Sequence, residues 1–186
     1  DWKNASSYLD RVVEKDPENY DLLKRSMIPA VGTGDIEKAA VRAHKILELD
    51  PLSSLASLIV TVDLIHDGEF DKAIEVTDLM HEGDITNFSK PILKGWAMAG
   101  KGELHTEDFY ETTIHSYSAA LMALYLGQKD KAEEYAKQMV SMGAISTYDA
   151  ERAADLFSYL GQDEDAIALY RGAAQQDDHG LSLISK

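Results

Sequence analysis

Apolar residues recur along this chain at the three- and four-residue spacing of one helix face, in segments of ten to twenty residues separated by short polar breaks. Between residues 20 and 31 they fall at Leu22, Leu23, Met27 and Ile28, and the pattern predicts a helix over Tyr20–Val31. Further helices are predicted over 36–49, 54–67 and 69–80, with an earlier one over 5–14. The second half repeats the plan at 107–126, 129–141, 147–160 and 164–175, and a helix over 89–99 lies between the halves. Asn19, Ser53 and Ser146 stand where N-caps belong. Pro29 is expected to kink its helix or end it early, whereas Pro91 is tolerable in a first turn starting near Lys90. The segment 177–186 is weakly patterned and expected to be loosely held.

The breaks are periodic. Glycine followed five residues later by alanine occurs at Gly34/Ala39, Gly68/Ala73, Gly127/Ala132 and Gly161/Ala166, and each half holds two copies 34 residues apart. Asp16-Pro17 and Asp50-Pro51 keep the same offset. Such a period is the mark of stacked helical hairpins, each unable to cover its apolar face alone. Glycine takes the left-handed conformation that stops one helix, and the small alanine lets its neighbour approach. The middle breaks the period. Only 27 residues separate Gly100, where a helix is expected to end, from Gly127, and His105 stands in the alanine slot; residues 101–106 therefore read as a shortened connection.

The units 19–51 and 53–85, with the later pair around Gly127 and Gly161, resemble tetratricopeptide repeats over about nine-tenths of the chain. Leu23 and Ser57 stand where tryptophan is frequent in that family. The runs 91–100 and 115–124 are similar to a divergent bacterial subgroup. The resemblance implies an all-α superhelix, a solenoid of about ten antiparallel helices, spanning 1–176 with an irregular, shortened unit around 86–126 and a tail at 177–186. It also implies a protein-interaction module that binds a peptide or partner protein in a concave groove, with no catalysis and no cofactor. A second reading is the scaffold portion of a larger enzyme or enzyme complex that positions a catalytic partner. An incomplete terminal repeat would also permit a homodimer.

In that family the first helix of each unit lines the groove. The frame places Lys24 and Ile28 there, then Leu58 and Val62, then Lys90 and Lys94, then Tyr117, Leu121 and Tyr125, and finally Tyr148 and Tyr159, with Asp155 alongside. The lysines lack the asparagines of a carboxylate clamp, so an apolar and aromatic groove is the better expectation. Seven of the nine tyrosines lie from Tyr110 onward, and tyrosine combines a large contact area with a polar tip.

Composition narrows the partners. A net charge of −15 argues against nucleic acid, which needs a basic stripe, and permits steering of a basic protein. No apolar run reaches the length of a membrane span. Cysteine is absent, which fits cytoplasmic and periplasmic proteins alike. The chain opens at Asp1 without a methionine or a signal-peptide pattern, as expected of a mature form or an excised fragment. Phosphate loops, His-Glu-x-x-His pairs and nucleophile elbows are lacking. Glu111 and His115 lie four apart on one face of the predicted 107–126 helix and could share a metal, but two ligands do not make a site. His105 with Glu107 and Asp108 reads as a solvated cap, and Trp96 as a core residue.

Overall fold

The computed structural model describes residues 2–143 and 145–176. These contain ten α-helices and no strand. In the first of two compact units, residues 1–101, lie α1 (Trp2–Val13), α2 (Tyr20–Gly32), α3 (Ile36–Leu49), α4 (Ser54–His66), α5 (Phe70–Leu79) and α6 (Asp84–Gly100). The second, residues 102–186, contains α7 (Thr113–Tyr125), α8 (Lys129–Ser141), α9 (Thr147–Tyr159) and α10 (Asp163–Gln176). Each helix packs on the next within its unit, and α4 also meets α6, as α7 meets α9. The predicted segment 177–186 lies outside the described residues.

The glycine–alanine spacing has a hydrogen-bond explanation. Gly34, Gly68, Gly127 and Gly161 all have φ between 72 and 80°. The amide of the residue after each glycine donates to a carbonyl five residues back: Asp35 to Ala30, Glu69 to Leu64, Gln128 to Ala123 and Gln162 to Phe157, at 2.8–2.9 Å. This is the Schellman closure of a helix end. That same residue is the first carbonyl of the next helix, accepting from Ala39, Ala73, Ala132 or Ala166. One residue thus ends a helix and begins its successor, and the alanine four positions on is fixed in the first turn. All four alanines are buried.

Side chains complete several of the other ends. Asn19 accepts from the Leu22 amide and Ser146 from the Asp149 amide, as their positions predict. Ser53 precedes α4 but caps it only through its backbone carbonyl, which accepts from Ser57. In the first unit Leu23, Met27, Ala43, Ile46, Ala56 and Val60 form a buried cluster from α2, α3 and α4. Each large member contributes about 1.5–3 kcal/mol by leaving water. In the second unit Ala120, Ala136, Met139, Ala153, Leu156 and Phe157 play the same part.

Four details depart from the sequence reading. First, α6 begins at Asp84 rather than near Ser89, so Pro91 sits well inside it. The earlier start is held by local side-chain bonds: the Gly83 amide donates to Asn87 Oδ1 at 3.3 Å, and Thr86 Oγ1 donates to the His81 carbonyl at 2.7 Å. Second, the connection after α6 runs from 101 to 112, and α7 starts at Thr113, not at 107. Thr112 is extended and its hydroxyl accepts from the His115 amide, so it caps the helix where the polar run 103–112 ends. Third, the left-handed residue is Gly102, with φ 92°, which lies 34 residues past Gly68; Gly100 is helical. The 34-residue register therefore continues through the third unit, whose second helix is replaced by the irregular 101–112 segment. Fourth, Pro29 does not end its helix early, because α2 continues to Gly32. Its ring is buried, and its carbonyl accepts from the amide and the hydroxyl of Thr33, each at 3.0 Å.

Candidate functional site

The eleven residues that the repeat frame selects lie on α2, α4, α6, α7 and α9, and none of them is buried. On α2, Lys24 and Ile28 are exposed, and the Lys24 ammonium lies 5.8 Å from the centre of the Tyr20 ring. On α4, Leu58 is half-buried and Val62 exposed. On α6, Lys90 and Lys94 both turn to Asp78 of α5: Lys94 pairs with its carboxylate at 2.8 Å, and Lys90 reaches its backbone carbonyl at 3.4 Å. Val62 belongs to an acidic hollow of about 750 Å³ bordered by Asp35, Glu37, Asp63 and Asp67.

The second unit brings its candidates together. Tyr117, Leu121, Leu124 and Tyr125 of α7 face Asp155, Leu156 and Tyr159 of α9 across an open groove of about 360 Å³. The floor is continuous with the core, since Leu156 is buried and Tyr117, Leu121 and Leu124 pack against the same cluster. The rim is wet: Tyr125 is 64 % exposed and Tyr159 71 %. Tyr125 and Tyr159 occupy one repeat position, each two residues before a left-handed glycine. In the first unit that position holds Gly32, His66 and Gly100, so the aromatic rim is confined to the second unit.

Polar contacts fix the α9 wall. Arg152 lies with its guanidinium carbon 4.1 Å from the centre of the Tyr148 ring and 5.0 Å from that of Tyr117. Its Nη2 also donates to the Tyr148 hydroxyl at 3.0 Å. Tyr148, the remaining candidate, thus stands beside the groove as a clamp on Arg152 rather than in its lining. On the next turn Asp155 accepts a hydrogen bond from the Tyr170 hydroxyl of α10. Burial, and then the bond to the Asp155 carboxylate, push the Tyr170 phenol up to about 12.

Sequence reasoning missed Arg152 and Tyr170. Arg152 was detectable as a cation four residues after Tyr148 on one helix face. Tyr170 lies on a second helix, and nothing local marks it as a partner of Asp155.

The chemical candidates resolve as packing. Glu111 is not helical, so it shares no helix face with His115, which is fully buried. The His115 ring lies edge-on to Phe109 and Tyr110, with Nδ1 2.8 Å from Thr112 Oγ1. It holds the 101–112 segment against α7. His105 Nε2 is 3.5 Å from an Asp108 carboxylate oxygen, too long for a strong hydrogen bond. Trp96 is half-buried rather than fully enclosed. Among the described residues no three His, Cys, Asp or Glu side chains converge as metal ligands, and no helix is long and apolar enough to cross a membrane.

No family model matches the sequence, and no curated protein matches it. Solved structures do. A tetratricopeptide repeat protein from Parabacteroides merdae aligns with a TM-score of 0.67 at 12% identity, covering 99% of this chain and 75% of that one. PilW, described as a widely conserved type IV pilus biogenesis factor, aligns with a TM-score of 0.64 at 15% identity, covering 100% of this chain and 91% of its own. At these identities the likeness is one of fold: the chain has an all-α helical repeat fold like that of tetratricopeptide repeat proteins.

Proposed function

We propose that this chain is a non-catalytic interaction module that holds a peptide or partner protein on the first helices of its repeats, chiefly in the α7–α9 groove. The observation that carries this reading is the groove itself. Three tyrosines and three leucines from two helices converge there, yet the rim tyrosines remain more than three-fifths exposed. Aromatic side chains left in water on a rigid helical wall are the usual anchors of a protein interface, because little rotamer freedom is lost when they are covered. The same repeat position in the first unit carries no tyrosine, and two of its three residues are glycine, so the fold itself does not require these phenol rings.

Tyr125 and Tyr159 make the groove testable without harming the core. A pull-down from cells that produce the protein naturally, run in parallel with a Tyr125→Ala/Tyr159→Ala variant, is expected to lose its partner in the variant. Undiminished capture by a folded variant would reject the groove.

A further inference from the structure

We propose that Arg152 and Tyr148 are positioning residues of the α7–α9 groove, which hold the Tyr117 ring in the wall that an occupant meets and do not touch the occupant themselves. This rests on reading the groove as the binding surface and names the residues outside its lining that set its shape. Tyr117 lines the groove, whereas Arg152 and Tyr148 do not. The Arg152 guanidinium carbon lies 4.1 Å from the centre of the Tyr148 ring on its own helix and 5.0 Å from that of Tyr117 on α7. A cation at such distances is drawn to the ring faces. One α9 side chain thereby ties down an aromatic side chain of the facing helix.

Arg152 is itself held in place. Its Nη2 donates to the Tyr148 hydroxyl at 3.0 Å, and its Nη1 stands 3.9 Å from the Asp149 carboxylate. A guanidinium is planar, so it stacks on a ring while its edge donates hydrogen bonds; an ammonium on a flexible stem does this less well. The repeat does not demand the arginine, because nine residues before the turn glycine α9 carries Arg152 and α7 carries Ser118. Without the guanidinium, the Tyr117 ring keeps its packing on the core cluster but loses the contact that fixes its face. An occupant would then have to order that ring on arrival, which weakens binding.

The probes are twelve-residue peptides selected by phage display on the full chain, kept only if they fail on Tyr125→Ala/Tyr159→Ala, and measured by fluorescence anisotropy. Arg152→Gln is expected to weaken them about three- to tenfold, and Arg152→Lys by less. In a Tyr117→Leu background the same Arg152→Gln change should alter affinity by about twofold or less. Tyr148→Leu, at a position 62 % exposed and outside the lining, should also weaken binding and add nothing once Arg152 is replaced. In free protein labelled with 3-fluorotyrosine, the fluorine resonance of Tyr117 should shift or broaden with Arg152→Gln.

Circular dichroism melts establish that each variant is folded, and Tyr148→Leu tests the same chain of contacts from the surface if Arg152→Gln is not. Peptides indifferent to both Arg152→Gln and Tyr148→Leu would overturn the positioning role and leave the groove standing. A loss just as large in the Tyr117→Leu background would do the same, since Arg152 would not then be acting through Tyr117. Failure to enrich any peptide that depends on Tyr125 and Tyr159 would overturn both readings.

Discussion

Gly100 at the end of α6 lies so close to the Phe70 ring at the start of α5 that a methyl group on Gly100 would stand 2.2 Å from a ring carbon. The contact joins the second helix of one repeat to the first helix of the next. Gly100→Ala should therefore push the ring aside and lower stability by about 1–3 kcal/mol, although alanine is the better helix former. Phe70→Leu in the same chain should recover part of the loss. A denaturant double-mutant cycle measures the coupling.

The left-handed glycines act through the backbone alone. At Gly127 nothing lies within 4 Å of an added methyl group, but φ is 72°. Gly127→Ala is expected to cost about 1–2 kcal/mol. Gly172, inside α10 with equally open space and an ordinary φ, provides the control: Gly172→Ala should stabilise by about 0.5–1 kcal/mol. Opposite signs in thermal melts would establish that these turn glycines are selected for conformation, not for size.

Much of this was legible because the signals are local. A helix stop, an N-cap and a small residue five positions apart interact through neighbouring backbone groups, so Gly34, Asp35 and Ala39 announce themselves in sequence. The third unit misled for the same reason. Gly100 and Gly102 are both near the helix end, and only the Phe70 contact and the positive φ tell which one packs and which one turns. Residues 107–112 look helical by composition, yet Thr112 caps the next helix and the buried His115 holds Phe109 and Tyr110 in a non-helical path. At the groove, the repeat frame placed Tyr117, Leu121, Tyr125 and Tyr159 together, because equivalent positions on α7 and α9 must face the same way. It could not show that Tyr170 would reach Asp155 from a different helix.

Asp10 of α1 is clamped by two cations of α3, Arg42 and Lys38. Arg42 is buried, and its Nη1 also donates to the Ser26 carbonyl of α2 at 2.8 Å, so one side chain links three helices. Partial burial pushes the Asp10 carboxyl up, but the bonds to Arg42 and Lys38 outweigh it and hold it below the ordinary 3.8. A depressed carboxyl stabilises the fold above its unfolded value and loses that contribution as pH falls below about 3.8. Asp10→Asn should lower stability at pH 7 and flatten the acid limb of the profile. Arg42→Met should cost about 1–3 kcal/mol, since it leaves Asp10 with Lys38 alone and removes the buried charge-assisted hydrogen bond to the Ser26 carbonyl.

Tyr170 gives the alkaline counterpart. Its phenol is raised from 10.0 to about 12, so the stability it contributes is fully present below pH 10 and is lost as pH rises through 12. Tyr170→Phe should remove that part of the alkaline unfolding limb. In the wild type, ultraviolet titration should show a late transition at about pH 12 from Tyr170, while Tyr20, whose hydroxyl donates to Asp50, is also raised above 10.0. Loss of that late transition in Tyr170→Phe identifies it.

The central claim is that a partner is held against the α7–α9 groove, and site-specific photo-crosslinking tests it most directly. Benzoylphenylalanine replaces Tyr125, Tyr159 or, as a control in the first unit, Leu79, which is 78 % exposed. Irradiation in the native cells is expected to give the same covalent adduct at 125 and at 159 and none at 79. Adducts absent from both groove positions, or equally strong at 79, would contradict it.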